Sequence, residues 1–119
     1  MAKYLITGGD GYLAQHIIDL LLLAGHEVRA VDVQFEQLTI PAKYSALCEQ
    51  QCFPLSDKQQ LLKAFENIDV CIHLASPAHC IHAYETQTAA ILEGLHVFHA
   101  AIENNNTPVI FSSTDAVYG

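Results

Sequence analysis

The chain has 119 residues, of which 51% are hydrophobic and 15% are charged, a composition that favours one layered α/β domain over a disordered or fibrous chain. Its net charge is −8, and the five Lys and Arg residues are scattered, so there is no basic stripe that could neutralise nucleic-acid phosphates. Neither an export leader nor an apolar run of about 18 residues is present, so we expect a cytoplasmic protein with no membrane span.

Apolar strand-like runs alternate with longer helix-like segments along the whole chain. The predicted elements in chain order are a strand at 3–7, a helix at 12–24, a strand at 27–32, a loop at 34–44 with one short helical turn, a strand at 46–53, a helix at 57–66, a strand at 70–75, a helix at 84–103 and a strand at 109–113. Gly25 suits the left-handed end of the first helix, and Ser56 with Gln59 resembles a capping box for the second. This alternation predicts a three-layer, doubly wound parallel sheet of about five strands in the order 3-2-1-4-5.

A glycine-rich turn between the first strand and the first helix is the most specific motif. Gly8 permits the tight turn, Gly11 lets the backbone approach a pyrophosphate, and Ala14 is small enough for the helix to pack on the strand. Asp32 ends the second strand about 20 residues later, where a carboxylate can accept hydrogen bonds from an adenosine ribose. The motif therefore predicts a Rossmann-like dinucleotide site with the pyrophosphate at the helix N-terminus.

The acidic residues near this turn predict which dinucleotide is preferred. A carboxylate at Asp32 repels a 2′-phosphate, so the sequence favours NAD over NADP as the cofactor. Asp10 adds a second negative charge within the turn, and we expect it to point to solvent and to disfavour NADP further. The alternative is that Asp32 is only a solvated residue at the end of a strand.

Seven histidines and four cysteines raise the question of a metal site. His79 and His82 flank a cysteine, and His96 and His99 share one helix face, but nothing in the spacing brings the two pairs together, so no metal is predicted. His73 ends an apolar run and is interpreted as a hydrogen-bonded core residue rather than a catalyst. None of the cysteines forms a C-x-x-C pair, which favours reduced thiols.

Three motifs resemble the extended short-chain dehydrogenase/reductase family, the NAD-dependent epimerases and dehydratases that act mainly on nucleotide sugars. They are T-G-G-D-G-Y-L-A at 7–14, H-L-A-S at 73–76 and F-S-S-T-D-A-V-Y-G at 111–119. Together they extend over essentially the whole chain in the family's order. The resemblance implies an NAD-binding Rossmann domain from an oxidoreductase-type enzyme.

The resemblance assigns the cofactor-binding residues position by position. It implies that Gly8, Gly11 and the backbone around Tyr12 and Leu13 hold the pyrophosphate. It implies also that Asp32 binds the adenosine ribose.

The same resemblance places the substrate side of the site. Leu74, Ala75 and Ser76 would line the nicotinamide, and Thr114 matches the catalytic Ser/Thr that hydrogen-bonds the substrate oxygen being oxidised. The family's general base is a Tyr in a Tyr-x-x-x-Lys motif on the helix after the fifth strand. In that motif the Lys lowers the pKa of the Tyr so that it can take a proton at neutral pH. The sequence ends at Gly119, before that helix.

Three positions depart from the family's pattern. Pro54 stands where the family usually has an Asp that contacts the adenine amine, and Ala90 stands where it often has an Asn. Ala116 replaces the Glu of the Thr-Asp-Glu triplet found in 4,6-dehydratases, which disfavours that dehydration chemistry.

We therefore interpret residues 1–119 as an NAD-binding domain that precedes the Tyr-x-x-x-Lys helix and the substrate-binding portion. The expected reaction of the full-length enzyme is hydride transfer at a sugar carbinol, while the 119-residue chain is expected to bind NAD and turn over nothing. The alternatives are a non-catalytic NAD-binding or subunit-interaction module and a degenerate remnant. Self-association into a homo-oligomer is expected in each case, because the sheet and its last helix would leave apolar surface uncovered.

Overall fold

Five parallel strands form one sheet in the order β3-β2-β1-β4-β5. The computed structural model describes residues 1–75 and 84–111, with the backbone alone for residues 84–90. The elements in chain order are β1 (Lys3–Thr7), α1 (Tyr12–Leu23), β2 (Glu27–Asp32), a 3₁₀ turn (Ala42–Tyr44), β3 (Cys48–Cys52), α2 (Lys58–Ala64), β4 (Val70–His73), α3 (Tyr84–Glu103) and β5 (Val109–Phe111). The predicted fold class and strand order are confirmed.

Different helices cover the two faces of the sheet. On one face, Ile6 of β1 is buried together with Ala14, Ile18 and Leu22 of α1. On the other face, its neighbour Leu5 is buried in a second cluster that includes residues of α2 and α3. The cluster residues from α2, its C-cap and α3 are Leu61, Ala64, Phe65, Val97, Ala100 and Ala101. Because consecutive residues of a strand point to opposite faces, β1 contributes to both cores and the three layers follow.

A buried cation joins β2 to the end of α2. The guanidinium of Arg29 donates to the carbonyl oxygens of Ala64 at 2.6 Å and Glu66 at 3.0 Å, and to the carboxylate of Glu49 at 3.2 Å. Carbonyl groups at the C-terminus of a helix have no partner within the helix, and a cation there also interacts favourably with the helix dipole. Arg29 therefore fixes the position of α2 against the sheet.

The predicted capping box of α2 is wrong. The helix begins one residue later, with Asp57 as its N-cap. The carboxylate of Asp57 accepts the backbone N–H of Gln60 at 3.2 Å and the side-chain amide of the same residue at 2.7 Å. A charged acceptor forms stronger hydrogen bonds than a hydroxyl, which explains why Asp57 rather than Ser56 caps the helix.

Strand β4 is shorter than predicted, because it ends at His73 instead of residue 75. After His73 the N–H of Leu74 is shared between the carbonyl and the hydroxyl oxygens of Thr7 at the end of β1, at 3.2 and 3.1 Å, and the N–H of Ala75 turns to that hydroxyl at 3.3 Å. The sequence predicts that β4 is buried on both faces. Cys71 is buried as predicted, but the other three residues of the strand are partly exposed. Of the predicted fifth strand, residues 112 and 113 lie outside the described residues.

The last helix and strand expose apolar side chains. Six of them, each between 50 and 65% exposed, are Ile91, Leu92, Leu95, Ile102, Ile110 and Phe111. Across residues 1–75 and 84–111, no helix has both the length and the apolar character needed to cross a membrane.

Candidate functional site

A cavity of about 650 Å³ lies at the carboxyl ends of the central strands. Its walls come from the turns that follow β1, β2, β3 and β4, together with one residue of α3. The lining residues are Gly8, Asp10, Gly11, Val31, Asp32, Val33, Gln34, Glu36, Gln37, Phe53, Pro54, Leu55, Leu74, Ala75 and Glu93. Ligands of open parallel sheets bind outside the carboxyl ends of the strands, so this cavity is the candidate site.

Five of the residues predicted from the sequence line this one cavity: Gly8, Gly11, Asp32, Leu74 and Ala75. They are far apart in the chain, and the parallel register of β1, β2 and β4 brings them together. Their role in holding a cofactor stays a prediction.

Four other predicted residues are not among those that line the cavity in the described part of the chain. Tyr12 and Leu13 begin α1 with side chains that are 82% and 51% exposed, so only their backbone is suited to the predicted contact. Ser76 and Thr114 lie outside the described residues.

Gly8 is the point of closest approach between the turns after β1 and β4. Its φ is +69°, in the left-handed region that favours glycine, and a Cβ placed there would stand 2.7 Å from the backbone nitrogen of Ala75. The adjacent Gly9 is equally restricted, because a Cβ would lie 2.8 Å from the Cβ of Ala30. Sequence analysis missed Gly9, since the approach of β2 to this turn is a tertiary contact that no local pattern reports.

The N-terminus of α1 opens at the cavity wall. Its N-cap is Gly11; among the described residues no side chain caps it, and its first turn contains no acidic residue. The first helical hydrogen bond runs from the N–H of Gln15 to the carbonyl of Gly11 at 3.1 Å. The N–H groups of residues 12–14 therefore have no partner within the helix, an arrangement suited to a phosphate group.

Asp32 faces the cavity and is partly engaged by the backbone. One carboxylate oxygen accepts the N–H of Asp10 at 3.1 Å, and the other accepts the N–H of Val33 at 2.7 Å. Each carboxylate oxygen has two lone pairs, so both oxygens keep acceptor capacity for a pair of hydroxyl groups.

Asp10 does not point to solvent as the sequence predicts. Its carboxylate accepts the backbone N–H groups of Glu36 at 3.0 Å, Gln37 at 2.8 Å and Leu38 at 2.7 Å. Burial acts to raise the pKa of the Asp10 carboxyl, but these three N–H groups outweigh it and hold that pKa below its ordinary value. The expectation fails because the segment after β2 folds back over the turn, which is a contact between residues distant in sequence.

The described residues that line the cavity include four carboxylates and no Lys, Arg or His. The carboxylates are those of Asp10, Asp32, Glu36 and Glu93. Burial raises the pKa of Glu93, and the nearby His96 only partly offsets this rise. Among the described lining residues, the groups suited to an anion are therefore backbone N–H groups.

Thr7 and His73 form a buried pair between the ends of β1 and β4. The hydroxyl oxygen of Thr7 accepts the N–H of Ala75 and shares that of Leu74 with the Thr7 carbonyl, and we infer that it donates its own proton to Nδ1 of His73 at 2.6 Å. This assigns the neutral His73 ring with its proton on Nε2. Burial lowers the pKa of His73, which favours the same neutral form.

Of the two histidine pairs, His96 and His99 lie in the part of the chain that the structure describes. No group of three or more His, Cys, Asp or Glu side chains in residues 1–75 and 84–111 is placed to hold a metal ion. His96 instead lies 3.2 Å from the carbonyl oxygen of Leu55, while His79 and His82 fall outside the described residues.

Comparisons with known proteins match this fold and motif set. The family model described as "NAD dependent epimerase/dehydratase family" matches residues 4–119. A 3 beta-hydroxysteroid dehydrogenase/Delta 5-->4-isomerase of Vaccinia virus (strain Western Reserve) is 31% identical over 78 residues, 64% of this chain and 22% of the relative. UDP-glucuronic acid decarboxylase 1 of Danio rerio is 29% identical over 124 residues, 98% of this chain and 28% of the relative.

The fold is shared with solved structures at low sequence identity. The enzyme WbmG of Bordetella bronchiseptica, solved in complex with NAD, superposes with a TM-score of 0.79 at 22% identity, over 92% of this chain and 36% of that chain. The sequence thus spans about a quarter of the length of the curated relatives and just over a third of this solved chain.

Replacement of Gly8 by Ala tests the contact with Ala75. We expect Gly8→Ala to lower the free energy of unfolding by more than about 2 kcal/mol, because left-handed strain adds to a steric overlap with backbone atoms. Gly25→Ala is the matched control, since Gly25 also has positive φ (+87°) but has open space around its Cβ position. We expect this control to cost about 1 kcal/mol. Urea unfolding followed by circular dichroism measures both, and equal costs would contradict the close approach.

Protonation of His73 tests the pair with Thr7. The pKa of His73 in the folded chain lies below its value in the unfolded chain, so the unfolded state binds more protons between the two values. The contribution of neutral His73 to the free energy of unfolding is therefore complete above a pH of about 6.5, and it is lost as the pH falls towards the pKa of the folded chain. Urea unfolding at pH 7.5 and 5.5 gives the free energy of unfolding at each pH. Between these values His73→Gln should lose less of it than the wild type, because Gln can accept the Thr7 proton but does not titrate.

The exposed His16 provides the control for this pH effect. His16→Gln should keep the wild-type difference in stability between the two pH values. If His73→Gln and the wild type lose the same stability on acidification, the neutral state assigned to the buried His73 is incorrect.

Proposed function

Because the chain belongs to the NAD dependent epimerase/dehydratase family, we propose that it is the NAD-binding domain of a cytoplasmic enzyme that acts on nucleotide sugars. The cavity is the main support for this proposal, because Gly8, the open N-terminus of α1 and the carboxylate of Asp32 all lie at its wall. Gly8 and the N-terminus of α1 suit the diphosphate of a dinucleotide, and Asp32 suits its adenosine ribose. The residues present therefore fit the cofactor of the family.

The residues of this chain have distinct roles in the proposed site. The N–H groups of residues 12–14 bind the diphosphate, and none of the described lining residues adds a cationic side chain. The carboxylate of Asp32 binds the ribose hydroxyls, and its bonds to two backbone N–H groups hold it in a single orientation. When bound, NAD supplies a hydride acceptor in its nicotinamide ring.

Leu74, Ala75 and Ser76 are proposed to form the wall on the nicotinamide side. Thr7 supports this proposal, since its hydroxyl holds the backbone of Leu74 and Ala75 at the edge of the cavity. Thr114 is proposed to hydrogen-bond the substrate oxygen, as the family motif implies. The Tyr and Lys that would supply the general base belong to the further part of such an enzyme.

The relatives differ in substrate class, and the proposal favours nucleotide sugars. The decarboxylase of Danio rerio matches over 98% of this chain, whereas the viral steroid dehydrogenase matches over 64%. The higher identity of the viral match supports a 3β-hydroxysteroid as the second candidate substrate. An assay of the whole enzyme that follows carbon dioxide release from UDP-glucuronic acid and NADH formation from a 3β-hydroxysteroid distinguishes the two.

Binding of NAD to the chain tests the proposed function directly. Titration calorimetry should show that the wild type binds NAD and binds NADP more weakly. Asp32→Asn should raise the Kd for NAD by about 10-fold, since a hydrogen bond to a charged acceptor is lost. The matched control is Glu66→Gln, which removes one exposed charge away from the cavity and should leave the Kd unchanged. The absence of NAD binding to the wild type would overturn the proposed function.

Self-association is also proposed, on the evidence of the apolar side chains exposed along α3 and β5. Multi-angle light scattering of the chain should give at least twice the mass of one copy. Ile91→Lys combined with Leu95→Lys should return the mass to that of one copy, because the added charges would be buried in the interface. A wild-type chain that remains a single copy at high concentration would contradict this prediction.

A further inference from the structure

The carboxylate of Asp10 occupies a set of three consecutive backbone donors. The N–H groups of Glu36, Gln37 and Leu38 converge on its two oxygens at 2.7 to 3.0 Å. Consecutive N–H groups that point to one place form an anion-binding concavity, and phosphate groups bind in such sites in other proteins. In this chain the anion in the concavity is a side chain of the protein itself.

This concavity lies next to the proposed ribose-binding residue. The backbone N–H of Asp10 donates to the carboxylate of Asp32 at 3.1 Å, so the two acids are adjacent at the cavity wall. Glu36 and Gln37, which supply two of the three N–H groups, also line the cavity. A phosphate on the ribose hydroxyl next to Asp32 would therefore meet the donors of residues 36–38 if they were free.

Charge and hydrogen bonding both exclude such a phosphate while Asp10 is present. The carboxylate of Asp10 repels a phosphate dianion, and it also uses the N–H groups that could bind that dianion. The described lining residues offer no Lys or Arg as a replacement. The low pKa of Asp10 keeps its carboxylate charged throughout the neutral range.

We propose that Asp10 is a specificity-determining residue that excludes NADP by occupying the anion site formed by the N–H groups of residues 36–38. This inference rests on the proposed NAD site and adds to it a second determinant besides Asp32. It assigns the discrimination to specific hydrogen bonds rather than to the overall negative charge of the cavity.

Two substitutions separate the hydrogen bonds from the charge. Asp10→Ser removes the carboxylate and frees the three N–H groups. Glu36→Gln removes a charge from the same cavity wall but leaves the backbone bonds to Asp10 in place. Titration calorimetry gives the Kd values for NAD and NADP with the wild type and with each variant.

We expect Asp10→Ser to lower the ratio of the NADP Kd to the NAD Kd by at least about 10-fold, since charged hydrogen bonds to the freed donors become possible. We expect Glu36→Gln to change that ratio by less than about 3-fold, because its charge is exposed and screened. A ratio that stays at the wild-type value in Asp10→Ser overturns the proposal, and so does an equal change in both variants. If Asp10→Ser weakens both dinucleotides equally, Asp10 has a structural role only and the proposal is again overturned.

A measurement without any dinucleotide tests the anion site separately. Amide hydrogen exchange followed by NMR should show slow exchange at Glu36, Gln37 and Leu38 in the wild type and fast exchange in Asp10→Ser. Inorganic phosphate should slow this exchange again in the variant and leave the wild type unchanged. Fast exchange at the three amides in the wild type, or no effect of phosphate on the variant, overturns the role of Asp10 without affecting the NAD site. A wild type that shows slow exchange but binds neither dinucleotide overturns the proposed function instead.

Discussion

The hydrogen bonds made by Thr7 determine the shape of the candidate site. Its hydroxyl accepts two N–H groups from the chain that leaves β4, and its proton is donated to His73. These bonds bring Ala75 so close to Gly8 that no side chain can be accommodated there. Thr7 is fully buried, and a polar group in that position is stable only because all of its hydrogen bonds are made. The wall between the turns after β1 and β4 therefore depends on one hydroxyl.

A second constraint is that the described walls of the cavity contain no cationic side chain. Its described walls carry four carboxylates, and its positive groups are the N–H dipoles at the start of α1 and in the segment after β2. Dipoles of this kind are fixed by the fold and need no rearrangement when an anion arrives. Selectivity between anions then depends on which N–H groups are already occupied, and Asp10 occupies those of residues 36–38.

Elements with a strong local pattern were predictable, and their exact ends often were not. The bounds of β1 and β2 agree with the sequence prediction, because their apolar runs are bordered by glycine or polar residues. The start of α2 was missed by one residue, since Ser56 and Asp57 are both good N-caps and the choice between them depends on the stronger acceptor. The end of β4 was missed because Thr7, which is distant in the chain, captures the N–H groups that follow it.

The sequence by itself determined the strand order, the glycine turn and the acid at the end of β2, because each follows from residue types at short spacings. Only the tertiary structure decided how those residues are used. It placed Ala30 against Gly9, bonded Asp10 to the N–H groups of residues 36–38 and paired His73 with Thr7. The physical reason is that these contacts join segments brought together by the parallel register of the sheet, and no local pattern of side chains encodes a partner that lies so far along the chain.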